Sequence, residues 1–296
     1  LYSLWKAMEL VAALLVGIYV ATLAKRDPGV ALSYYEYCLK FYLVLLLLAI
    51  LGIAVYGGEA FRATLGEGSI EAYGESVMPY QLQGKLVAVN PNSLGGMSGI
   101  LVYVYLLRLI NGWRRKSDYV VFFLCACVFV SAQSRTAWVG VMVSIAWYVL
   151  FSGNPSRRVR LYLSFIVAGG LAIGLKVFVD YLTRGVSVEQ MQNLSGRALW
   201  WEAAWTRFQA SSPDEQFFGL GFMTANRKIT TQEFGYAVSS LHSDYADALI
   251  STGYIGLICM CLFVLSTWFL LLSVGRSRSC LKAELTGIMI ILTIRS

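Results

Sequence analysis

The chain is poor in charged residues. Only 14% of its 296 residues are charged and 57% are hydrophobic, whereas a soluble domain carries about 25% charge. The composition excludes a soluble globular protein and predicts an all-α polytopic membrane protein. The net charge of +7 does not indicate a nucleic-acid partner, because the basic residues cluster in short loops on one side of the predicted membrane.

Histidine is almost absent, which leaves little material for a metal site. Asp244 and Asp247 lie near the single histidine, His242, but the loops hold no second histidine, no Asp-x-Asp triplet and no other carboxylate cluster. The six cysteines show neither a disulfide framework nor zinc-ligand spacing, so we expect buried thiols. We expect neither a metal nor a cofactor, and a metal held by His242 with the two aspartates is the weaker alternative.

Long apolar runs predict the membrane spans. They lie at about 3–24, 38–56, 94–112, 118–134, 136–151, 160–182, 249–272 and, as a partial span, 283–296. We expect one membrane domain over 1–296. The chain begins without Met and ends inside an apolar run too short for a spanning helix, which needs about 20 residues. We therefore expect further spans beyond both ends.

The connections between the spans alternate in charge and length. Basic residues occupy the short connections: Lys25, Arg26, Arg114, Arg115, Lys116, Arg157, Arg158, Arg160, Arg276, Arg278 and Lys282. The positive-inside rule places these connections in the cytoplasm and the long loops 57–93 and 183–248 outside it. His242 then lies outside the cytoplasm, close to the start of the span at 249. Nucleotide-activated substrates are not available there, so any chemistry needs a donor already energised in the membrane.

Three side chains are candidates for chemistry on this outer side. Arg135 lies between two apolar runs, where an arginine costs about 2.5–3.5 kcal/mol on insertion; it either lines a polar cavity that binds an anion or extends to the interface. Arg197 opens a predicted amphipathic helix over 197–208. Two guanidinium groups could neutralise a diphosphate, and the His242 imidazole could deprotonate a hydroxyl. Alternatively, His242 is only a polar residue at the membrane interface.

The end of the first outer loop predicts a helix start. Asn90-Pro91-Asn92 precedes an apolar run, and we expect Asn92 or Ser93 to be the N-cap. A helix N-terminus that faces outward could also receive phosphate.

Four stretches together resemble the O-antigen ligase and polymerase superfamily of bacterial inner-membrane proteins. They are Asn90-Pro91-Asn92 with Gly95, Ser134-Arg135-Thr136-Ala137, Ser195-Gly196-Arg197 through Trp200 with Gly219-Leu220-Gly221, and His242-Ser243-Asp244-Tyr245 through Thr252-Gly253-Tyr254-Ile255-Gly256. The resemblance covers about residues 80 to 275. It departs from the family pattern at Ser243, where Asn is common, and about four family spans are absent.

The resemblance implies a helical membrane glycosyltransferase of the GT-C-like kind, with a large helical loop outside the cytoplasm. The donor would be a glycan on undecaprenyl diphosphate, and transfer would occur in the periplasm with inversion and without a metal. By the same resemblance His242 is the general base, and Arg135 and Arg197 bind the diphosphate. Supporting positions around these three are Asp244, Tyr245, Asn90, Asn92 and Arg184.

The resemblance leaves the acceptor open. A ligase moves the glycan to lipid A core, a polymerase to another repeat unit, and a third branch to protein. The late position of the long His242 loop favours the ligase. A small-anion transporter is the alternative from another class, but we find no paired repeat of the kind carriers show. The expected partners are the lipid-linked donor, a glycolipid or glycan acceptor and membrane lipids, with no nucleic acid.

Overall fold

The structure of the chain is a computed structural model. The described residues are 19, 22, 27–63, 80–87, 89–112, 115–151, 197–221, 229, 231–232, 243–273 and 279–295. The elements in chain order are α1 (Pro28–Tyr56), β1 (Phe61–Ala63), β2 (Tyr80–Leu82), α2 (Pro91–Ile110), α3 (Lys116–Ala132), α4 (Arg135–Phe151), α5 (Arg197–Gln209), α6 (Pro213–Phe218), α7 (Asp244–Ser273) and α8 (Ser279–Arg295).

The helices lie over the long apolar runs of the sequence. Leu32–Ala60, Pro91–Ile110 and Asp244–Ser273 are long and apolar enough to cross a membrane, and Arg135–Phe151 is a shorter apolar helix. The protein is an all-α polytopic membrane protein, and its described residues include a small two-stranded antiparallel sheet. The predicted spans 160–182 and, apart from Tyr19 and Thr22, 3–24 lie outside the described residues.

The chain forms two compact units. The first unit comprises the described residues of Tyr37–Ser187 and Leu271–Arg295, and the second comprises those of Leu1–Glu36 and Val188–Leu270. In the first unit α2 contacts α3, α4 and α8. Because α2 is apolar on every face, it is buried among its neighbours rather than on one side only.

Polar side chains inside the first unit bond to backbone carbonyls of neighbouring helices. The Tyr103 hydroxyl donates to the Ala283 carbonyl at 2.9 Å. The Ser144 hydroxyl lies 2.9 Å from the Gly287 carbonyl of α8. These bonds fix the register of α8 against α2 and α4, because a hydroxyl left without an acceptor in an apolar interior costs free energy.

A buried ion pair also joins α2 to α8. Arg108 Nε lies 3.3 Å from Glu284 Oε1, and Arg108 Nη2 lies 3.3 Å from Glu284 Oε2. The two side chains are only 7% and 5% exposed. The sequence analysis overlooked this pair, although a charged residue inside each of two apolar runs is the signal that indicates such a site.

The connection between α1 and α2 contains a two-stranded antiparallel sheet, which we did not predict. Phe61 pairs with Leu82, and Ala63 pairs with Tyr80. The Gln133 amide donates to the Tyr80 carbonyl at 2.6 Å, which ties the hairpin to the corner between α3 and α4. Three-residue strands are too short for an alternating pattern to identify them in the sequence.

The described cysteines are free thiols. Cys125 is buried, as expected, but Cys38, Cys127 and Cys259 are exposed on their helices, and Cys261 is partly buried. The expectation of buried thiols was therefore wrong for these three exposed cysteines, because an apolar helix of a membrane protein carries apolar residues on its outer face as well.

The second unit is built around the amphipathic helix α5, and the prediction of this helix is confirmed. Ala204 and Phe208 of α5 form a buried cluster with Ile229 and Ile250. Trp200 and Trp201 pack at its edge, partly buried. Full burial of one such aliphatic or aromatic side chain contributes about 1.5–3 kcal/mol to the free energy of unfolding. This small hydrophobic core therefore stabilises the segment around α5.

Candidate functional site

Asn90 starts α2 in the first unit. Its side-chain oxygen accepts a hydrogen bond from the Ser93 amide at 2.7 Å, and its backbone is extended. The prediction of Asn92 or Ser93 as the N-cap was wrong by two or three residues. The reason is Pro91, whose ring fixes a helical φ and lacks the amide hydrogen, so it suits the first helical position.

Arg135 starts α4 one residue after a tight corner. Gln133 adopts a left-handed backbone with φ of 48°, which ends α3. The buried Ser134 then accepts the Trp138 amide on its carbonyl at 3.0 Å. Arg135 is therefore the first residue of a helix, and its side chain is partly buried. A guanidinium beside helix N-terminal amides suits an anion.

The starts of α2 and α4 in the first unit lie against each other. A Cβ at Gly95 would overlap the Cβ of Ser134, so the first turns of α2 pack directly on the start of α4. The structure thus brings together two of the motifs that are far apart in the sequence, Asn90-Pro91-Asn92 with Gly95 and Ser134-Arg135. Glycine at position 95 is explained by this close approach.

The second unit holds the described candidates that follow residue 188. Arg197 is the first residue of α5, and Asp244 and Tyr245 begin α7. Asp244 is exposed and Tyr245 is partly buried. His242 and Arg184 lie outside the described residues.

Ser243 caps α7, a role that the sequence analysis did not assign. Its hydroxyl accepts from the Ala246 amide at 3.4 Å, and its carbonyl accepts from the Asp247 amide at 2.9 Å. Asn and Ser are both strong N-cap residues. Ser243 in place of the common Asn therefore keeps the helix start that directly follows His242.

An apolar groove lies between α5 and the start of α7. Its volume is about 210 Å³. The lining residues are Trp201, Ala204, Trp205, Ser243, Ala246, Leu249 and Ile250. Ser243 is one of the lining residues, so this mainly apolar groove lies directly beside the cap of α7.

The candidate residues are thus distributed over both units. Arg135, Asn90 and Asn92 belong to the first, whereas Arg197 and Asp244 belong to the second. The convergence of Arg135, Arg197 and His242 stays a prediction. Among the described residues, no group of three or more His, Cys, Asp or Glu side chains is placed to hold a metal ion.

One family comparison bears on this site. Residues 120–261 match the model of a family described as O-antigen ligase. The match covers slightly less than half of the chain and includes the positions of Arg135, Arg197 and His242. No curated protein and no solved structure matches the chain.

Proposed function

We propose that the chain is an O-antigen ligase-like inverting glycosyltransferase of the O-antigen ligase and polymerase superfamily, because its residues 120–261 match the O-antigen ligase family model. Its donor is a glycan on undecaprenyl diphosphate, and its acceptor is a hydroxyl of lipid A core or a related glycolipid. The protein lies in the bacterial inner membrane with its site on the periplasmic side. The observation that carries this proposal is the family match over residues 120–261, which contains all three principal candidates.

The reaction needs few groups from the protein. The acceptor oxygen attacks the anomeric carbon, and the bond from that carbon to the diphosphate oxygen breaks. The His242 imidazole takes the proton of the acceptor hydroxyl, and the electron pair of the broken bond leaves with the diphosphate. Because diphosphate is already a good leaving group, the protein mainly positions the sugar and offsets the developing charge.

Arg135 and Arg197 carry the positive charge in this scheme. Each opens a helix, α4 and α5 respectively. A guanidinium donates two parallel hydrogen bonds to phosphate oxygens, and the helix N-terminus adds amide donors and a favourable dipole. Two such groups replace the divalent cation that other enzymes use at a diphosphate, so we propose a metal-independent reaction.

The supporting residues have distinct roles. Asn90 holds the start of α2, whose first turns pack on the corner that carries Arg135. Asp244 and Tyr245 follow His242 and begin α7, where their polar groups lie beside the attacking hydroxyl. Arg184 adds positive charge on the same outer side.

The test is a transfer assay with the purified chain in lipid nanodiscs, supplied with a glycan on undecaprenyl diphosphate and with lipid A core. We expect transfer, inversion at the anomeric carbon and full activity in a chelator. Arg135→Ala and Arg197→Ala should each lower kcat/KM about 100-fold, the cost of removing a group that stabilises transition-state charge.

Arg207→Ala is the matched control for Arg197→Ala, since Arg207 is exposed on the same helix α5. It should transfer at the wild-type rate. If the chain transfers no glycan from the lipid diphosphate to any hydroxyl acceptor, or if both arginine variants are fully active, the proposed function is wrong.

Polymerisation is the second candidate, because the matched family supports ligase and polymerase activity alike. The acceptor distinguishes the two. Lipid A core and lipid-linked repeat units are supplied in separate reactions, and extension of the repeat unit alone identifies a polymerase.

A further inference from the structure

Helix α7 is broken at Gly253, close to its start. Gly253 has φ of 69° and ψ of −168°, a conformation that is essentially restricted to glycine. The break separates a short segment, Asp244–Thr252, from the long apolar remainder of the helix. The sequence analysis predicted one span from 249 and did not anticipate this break.

The end of α6 packs on the break, backbone against backbone. A Cβ at Gly253 would overlap the Phe217 carbonyl, and a Cβ at Gly219 would overlap the Ser251 carbonyl. Gly219 itself has φ of 91°. Side chains at either position would force the two segments apart, so both glycines are needed for this close approach.

Hydrogen bonds hold the same contact. The Leu220 amide donates to the Ile250 carbonyl at 2.8 Å, and the Gly221 amide donates to the Ser251 carbonyl at 3.4 Å. A helix that stops leaves its last carbonyls in need of donors. Gly219-Leu220-Gly221 therefore caps the short segment Asp244–Thr252.

Ring contacts support this contact from the side. The Tyr254 ring, next to Gly253, meets Phe208 edge-on at 5.4 Å between centroids and Phe217 at 6.4 Å. Phe208 is fully buried in the core formed by α5. Ile250 of the short segment lies in the same core, so both the short segment and the residue that follows the break contact α5.

We infer that Gly253 and Gly219 are positioning residues for the transfer reaction. They fix the direction of the segment Asp244–Thr252, whose cap Ser243 directly follows His242 in the chain. A continuous helix through position 253 would point this segment in another direction. The inference rests on the proposed role of His242 as the base.

The test compares kcat and KM in the nanodisc transfer assay, per molecule of folded protein, for Gly253→Ala and Gly219→Ala. The matched control is Gly58→Ala, because a Cβ at Gly58 has no atom within 4 Å and no left-handed backbone to adopt. A misplaced reactive group costs up to about 100-fold. We therefore expect kcat to fall about 10- to 100-fold in both variants, with the donor KM nearly unchanged and the control unaffected.

Tyr254→Ala replaces the glycine variants if their added methyl group prevents folding. It removes the ring that contacts Phe208 and Phe217 beside the break, and it adds no atoms. Its kcat should also fall, whereas Tyr119→Ala, at an exposed tyrosine of α3, should match the wild type. Wild-type kcat per folded molecule in Gly253→Ala, or in Tyr254→Ala, overturns the inference. If His242→Ala is inactive while these variants are fully active, only the positioning role fails; full activity of His242→Ala removes the proposed base itself.

Discussion

Replacing Glu284 by glutamine tests the buried ion pair between α2 and α8. The substitution keeps the size of the side chain and removes the charge that two guanidinium nitrogens of Arg108 contact at 3.3 Å each. Both partners are almost fully buried, at 7% and 5% exposure, so solvent cannot replace the lost carboxylate charge. Breaking a buried pair at one partner costs about 3–5 kcal/mol.

The assay measures the thermal midpoint of unfolding of the purified protein. The midpoint is determined from the fraction of protein that stays monodisperse after heating to each temperature. At this size the cost corresponds to a fall of about 10 °C for Glu284→Gln. The double variant Arg108→Met with Glu284→Gln should recover most of the loss, because a buried pair replaced by uncharged side chains is often neutral in stability.

Glu59→Gln is the matched control. Glu59 forms its ion pair with Lys85 at the surface, where solvent screens the charges. The thermal midpoint of Glu59→Gln should therefore equal that of the wild type. The reasoning fails if Glu284→Gln melts like the wild type, or if the double variant is less stable than Glu284→Gln alone.

Three further predictions concern local structure at the starts of α2, α4 and α7. Asn90→Ala should destabilise the protein by about 1 kcal/mol through the lost cap, while Asn92→Ala, which removes no cap, should not, as thermal midpoints will show. Gly95→Ala should cost about 1–3 kcal/mol by overpacking against Ser134, and adding Ser134→Gly should restore stability; failure of this rescue would contradict the packing described. Ser243→Asn should keep transfer at the wild-type rate, because asparagine also caps a helix. Ser243→Ala should lower the free energy of unfolding by about 1 kcal/mol, and the transfer rate and thermal midpoint of both variants are measured on the same samples.

The helices could be predicted from the sequence because their apolar runs are long. Runs such as 94–112 and 136–151 coincide with α2 and α4 to within a few residues. The amphipathic spacing of Trp200, Ala204 and Phe208 likewise predicted α5, and these residues do face its core. In each case many residues contribute to one periodic signal.

Features that depend on a single residue or on a distant partner were harder to predict. The hairpin strands have three residues each, and the break of α7 depends on the backbone of Gly253 against Phe217. The Arg108–Glu284 pair joins residues of α2 and α8 that are far apart in the chain. Ser134 against Gly95 is a contact between two small residues, which leaves no hydrophobic pattern in either helix.

The candidate site likewise contains residues that the sequence indicated and roles that only the structure revealed. Residue chemistry and the positive-inside rule indicated Arg135, Arg197 and His242 as the groups for a diphosphate donor outside the cytoplasm. The roles of Asn90 and Ser243 as helix caps became clear only from hydrogen bonds in the folded chain. The caps and glycines of the four motifs have structural roles in the described helices, and motif spacing alone does not separate these roles from chemical ones.

The most direct test of the central claim is the initial rate of glycan transfer by purified His242→Ala protein in nanodiscs, with saturating lipid-diphosphate donor and acceptor. Loss of a general base lowers a rate about 10²- to 10⁴-fold, and we predict a fall in this range with the protein still folded and with no recovery on adding divalent metal. Transfer at the wild-type rate would contradict the assignment of His242 as the base.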